Sequence, residues 1–168
     1  CECHSGWYGP ECSETQQQYE KREKVTNALL EKSVQACEGA PLDEVADSCL
    51  KVFHELTVDP IVIEDTTIDS TLQFLTNDFN TYMTSQGGTM SEGASTDLLE
   101  VVDSFASKLV FTPSPNKKKQ EATVAWNSDS LVTLTDLIIR KRLESNTKVE
   151  MKSNSVSIIG ETTTASAL

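Results

Sequence analysis

Histidine is nearly absent from this chain: only His4 and His54 occur among 168 residues. Most metal-ligand sets and most nucleophile–base pairs draw on imidazole, so this scarcity removes the commonest routes to catalysis. The motifs that would replace it are missing too. There is no G-x-G-x-x-G, no G-x-x-x-x-G-K, no H-E-x-x-H and no G-x-S-x-G. The sequence therefore reads as non-enzymatic, with no cofactor. Aromatic residues make up 6% and hydrophobic residues 38%, which implies a modest, mostly aliphatic core. No apolar run approaches twenty residues, so no transmembrane helix and no membrane insertion are expected. Basic residues are few, 14 against 26 acidic, and the net charge is −12. That balance argues against nucleic-acid binding, which requires a basic face, and favours solubility and basic partners. No N-x-S/T sequon is present, because Asn80-Thr81-Tyr82 and Asn146-Thr147-Lys148 both miss it. N-glycosylation is not expected, whereas the Ser/Thr-rich stretches 84–96 and 162–166 suit O-linked glycans.

Two small acidic and imidazole features have bland readings. His54 neighbours Phe53 on an amphipathic helix and reads as a surface or boundary residue. Glu64-Asp65 with Asp69 places carboxylates one helical turn apart, where capping and solvation explain them better than calcium.

Cysteine is what the chain does have. The opening, Cys1-Glu2-Cys3-His4-Ser5-Gly6-Trp7-Tyr8-Gly9-Pro10-Glu11-Cys12, is C-x-C followed by eight residues and another Cys. Such a segment has little core and keeps a shape only if its sulfurs are linked. Gly6 and Gly9 can supply the positive φ angles of a tight turn. A zinc site built on Cys1, Cys3 and His4 is the alternative, and its spacing fits poorly. The motif resembles the C-terminal half of an EGF-like module. By that resemblance Cys3 pairs with Cys12, and Cys1 pairs with a cysteine upstream of this sequence, so it is unpaired here. The resemblance implies an extracellular or cell-surface location and a piece of a longer protein. The family's calcium residues lie in the half that is missing, so no calcium site is carried over.

Cys37 and Cys49 remain. They fall at the end of one expected helix and inside the next, across Gly39-Ala40-Pro41, which suits a staple over a helical hairpin. Two buried free thiols are the alternative.

The rest reads as mainly α, with four to five helices and a few short C-terminal strands. A helix over 13–37 opens on a Ser13…Gln16 capping signature, is polar in its first half, and carries Val25, Leu29, Leu30, Val34 and Cys37 in its second. Helices follow over 42–56 and 65–85, broken by Asp59-Pro60. Residues 85–95 read as a loop and 96–111 as a helix, stopped by Thr112-Pro113-Ser114-Pro115. Lys117, Lys118 and Lys119 read as an exposed turn and a candidate contact for an acidic partner surface. A strand over 120–126, a helix capped by Asp129 or Ser130, and two strands around Asn154 complete the pattern. The organisation expected is an EGF-like end at 1–12, a helical spacer at 13–24, a bundle at 25–112, a strand–helix–strands subdomain at 113–160 and a flexible tail at 161–168.

The segment 131–159, in which L-x-x-L-x-x-L-I leads into Ser153-Asn154-Ser155-Val156-Ser157-Ile158, looks like the helix-then-strand pattern of GAIN-type and polycystin-like ectodomains. The His-Leu-Thr/Ser cleavage triad of that family is absent. His54-Glu55-Leu56-Thr57 carries an inserted Glu, so autoproteolysis is not expected. The sequence thus points to an extracellular structural or interaction module whose partners are other domains or copies in a larger assembly. The alternative is a segment of an adhesion or mechanosensing receptor.

Overall fold

Thr15 sets where the first helix begins. The computed structural model, which describes residues 3–111, 117–144, 148–154 and 156–161, pairs a short strand β1 (Trp7–Tyr8) with β2 (Glu14–Thr15). Helix α1 (Gln16–Glu38) starts at the next residue. Thr15 accepts a hydrogen bond from the Gln18 amide at 3.3 Å, and the Gln18 side chain accepts from the Thr15 amide at 2.9 Å, a complete capping box. Ser13 is therefore not the cap. Strand pairing holds the backbone extended through Thr15, two residues beyond the expected start. α1 buries Asn27, Leu30, Val34 and Cys37, while Val25 and Leu29 turn half outward.

Helix α2 (Leu42–Thr57) buries Ala46, Cys49, Leu50, Phe53 and Thr57, with Asp43 and Glu44 complementing the dipole in its first turn. A 3₁₀ turn (Pro60–Val62) follows. Residues 65–85 are helical throughout, as α3 (Asp65–Phe74), a π turn (Leu75–Phe79) and α4 (Asn80–Ser85). Within the π turn the Asn80 amide donates to the Leu75 carbonyl, five residues back.

Helix α5 (Glu92–Phe111) begins four residues before the expected start at 96, because Ser91 accepts from the Ala94 amide at 3.0 Å and caps it. Helix α6 (Lys117–Leu143) replaces the expected basic turn, strand and Asp129/Ser130 cap with one element. The alternation at Ala122, Val124 and Trp126 is too short to outweigh a run from 117 to 143 without Gly or Pro. Arg140, Lys141 and Arg142 fill its last turn. Strands β3 (Lys148–Lys152) and β4 (Ser157–Glu161) form an antiparallel hairpin in which Lys148 faces Glu161 and Met151 faces Ile158. The Ser153 amide donates to the Val156 carbonyl at 2.8 Å and closes its turn.

The protein is thus mainly helical, with two short antiparallel strand pairs. One buried cluster joins α1, α2, α3, α5, α6 and β4 through residues such as Leu30, Phe53, Phe74, Phe105, Leu134, Ile138 and Ile158. Phe53 and Phe74 meet edge to face at 5.8 Å. This cluster holds residues from both sides of 112/113. Of the tail expected over 161–168, Glu161 belongs to β4, and the rest lies outside the described residues together with Cys1 and the helix stop at 112–115.

Candidate functional site

The N-terminal loop is built from its glycines outward. Gly6 and Gly9 adopt φ of +89° and +85°, and the Trp7 and Cys12 amides donate to the His4 and Gly9 carbonyls. Cys3 and Cys12 are bonded, with Cα atoms 5.3 Å apart. A Cβ at Gly9 would stand 2.5 Å from Glu14 Oε2, so the missing side chain there leaves the path along which the Glu14 carboxylate reaches α1.

On α1 that carboxylate meets Arg22. Arg22 Nε and Nη2 donate to the two Glu14 oxygens at 2.8 Å each, a bidentate pair, and Nη1 donates to Asp59 at 2.6 Å, in the turn after α2. The guanidinium lies 5.5 Å from the Tyr19 ring centroid, and Tyr19 packs at 5.4 Å against Tyr8 of β1. The hydrogen bond to Glu14 is the chief cause that raises the Arg22 pKa and keeps the group charged. Burial, then the neighbouring charge of Glu23, raises the Tyr19 phenol above its usual value. The half of α1 read as a spacer is therefore tied to both the loop and the body.

Cys37 and Cys49 are bonded across the α1–α2 turn, with Cα atoms 6.2 Å apart and both residues buried. Lys117, Lys118 and Lys119 open α6, and their side chains lie outside the described residues. His54 Nδ1 lies 2.7 Å from Asp97 of α5, so this residue links two helices. Glu64 is the N-cap of α3 and Asp65 lies in its first turn, 3.4 Å from Lys108, which also donates to the Ile63 carbonyl. Among the described residues no group of three or more His, Cys, Asp or Glu is placed to hold a metal ion, and no helix is long and apolar enough to cross a membrane.

Clefts on the surface differ in character. One of about 780 Å³ lies between the α1–α2 turn, the π turn and α4, lined by residues including Glu38, Pro41, Asp43, Asp78 and Tyr82. Another of about 300 Å³, between α5, α6 and the hairpin, is mostly apolar and includes Val102, Leu131, Val132, Ile139 and Val156.

Sequence reasoning missed Glu14, Arg22 and Asp59 as a group, because they come from three elements and share no period. The one available signal was Tyr19, an aromatic in an otherwise polar first half of α1. Comparison of the chain with protein-family models, with curated sequences and with solved structures yields no match.

Proposed function

We propose that this chain is a non-enzymatic extracellular module that serves as a structural and docking element of a larger multidomain surface protein. The observation that carries the reading is the Cys3–Cys12 bridge, which closes a loop too small to hold a core of its own. The second bridge, Cys37–Cys49, supports the same oxidising compartment. The likeness of the opening to an EGF-like module supports a place among tandem extracellular modules. The acidic surface of the chain, at net charge −12, supports neighbours of basic character.

Two measurements test this. Peptide mapping without reduction of protein secreted from cells should recover both bridges intact, and free thiols at these positions would remove the basis for the compartment. Sedimentation of the chain with the segments that flank it in its parent should show association. A cooperatively folded monomer indifferent to those segments would count against docking. The receptor reading is favoured by one feature, the helix α6 running into a hairpin that packs on it. Membrane spans and a cleavage segment downstream in the full-length sequence would select it.

A further inference from the structure

We propose that the Glu14–Arg22–Asp59 clamp locks the N-terminal loop to the helical body, so that the two turn as one rigid unit and the direction of whatever precedes the loop is set by the bundle. Four restraints converge on the junction. Thr15 is at once the last residue of β2 and the cap of α1, which leaves no residue to act as a swivel. Arg22 holds Glu14 through a bidentate pair, whose planar geometry fixes angle as well as distance. Its third bond, to Asp59, anchors the same guanidinium to the turn after α2, so the loop is tied both to α1 and to that turn. Tyr8 against Tyr19 fills the space beneath with apolar contact. A disulfide-closed loop on a free hinge needs none of these contacts. Their joint presence makes the junction an orienting device, with Arg22 as the positioning residue. The inference stands on this geometry alone and is independent of what the module binds.

Residual dipolar couplings and amide relaxation of the ¹⁵N-labelled chain, with both bridges intact, test it. In the native protein, couplings of the loop amides over residues 4–12 and those of the helices should fit a single alignment tensor, with order parameters in both near about 0.85. In Arg22→Ala, helical circular dichroism should be retained. The loop couplings should shrink and require a second tensor, and its order parameters should fall below about 0.6. Arg22→Lys, which keeps the charge and loses the bidentate fork, should fall between. Glu14→Gln serves if Arg22→Ala fails to fold, with the same loss expected. A native loop that already needs its own tensor, or variants that still fit one, would overturn the proposal.

Discussion

The amide of Asn27 sits in the buried stripe of α1, where the neighbouring inward positions are leucine, valine and cysteine. Its Nδ2 donates to the Val62 carbonyl at 2.7 Å and to the Glu23 carbonyl at 2.8 Å, and its Oδ1 accepts from the Glu64 amide at 2.7 Å. One side chain thus satisfies the exit of the 3₁₀ turn and the entry to α3. Asn27→Ala strands the Val62 and Glu64 groups, and unfolding in urea should show a loss of about 1–3 kcal/mol. A loss under about 0.5 kcal/mol, the size of an ordinary surface change, would show that these bonds carry little. Gly160 matters for the opposite reason, because a Cβ there would stand 2.8 Å from Ile139 Cγ2 and 3.4 Å from Leu143. Gly160→Val should cost about 1–3 kcal/mol by overpacking, with β3–β4 amides exchanging faster than the rest. Tyr19 gives a pH dependence. Its raised pKa means the fold favours the neutral phenol, so its stabilisation is present below the unfolded value of 10.0 and is lost as pH climbs through the higher folded value. Denaturation midpoints between pH 8 and pH 11 should therefore fall more steeply for the native protein than for Tyr19→Phe, and parallel curves would refute the assignment.

Among the elements, α2 and the helical stretch over 65–85 were legible because their apolar residues repeat at three and four and their ends carry Pro or Gly signals. α5 was legible except at its start, where Gly93 suggests a loop and the Ser91 cap prevails. α6 was half legible: Leu134, Leu137 and Ile138 face the core, whereas the sequence of its first half has no comparable apolar period and points to a turn and a strand. The N-terminal loop was legible through its cysteines and glycines, and the clamp was not, since it joins residues up to 37 positions apart. The Cys37–Cys49 staple acts at this scale. It ties the end of α1 to the middle of α2, and Cys37→Ser with Cys49→Ser, with the Cys3–Cys12 bridge kept intact, should lower stability by about 3 kcal/mol in urea unfolding. A double variant with an unchanged unfolding midpoint would mean that packing alone holds the hairpin.

For the whole molecule the shared core has a direct thermodynamic signature. Leu30, Phe53, Phe105, Leu134 and Ile158 belong to one buried cluster although they span most of the chain. Helical signal and aromatic signal should therefore melt together in a single transition, with calorimetric and van't Hoff enthalpies equal. Two separated transitions would support the division into a bundle and a C-terminal subdomain.

The π turn at Leu75–Phe79 carries a consequence for how this protein can vary. A π turn is an α-helix with one residue added, and the added residue rotates everything after it by roughly 100° about the helix axis. Here Leu72 and Phe74 before it, Phe79 at its end and Met83 after it are all buried, so the two halves of the helix meet the core only in this phase. Deleting a single residue between Leu75 and Phe79 would straighten the helix and swing Met83 into solvent. Homologous chains should therefore tolerate many substitutions within this stretch and almost no change in its length.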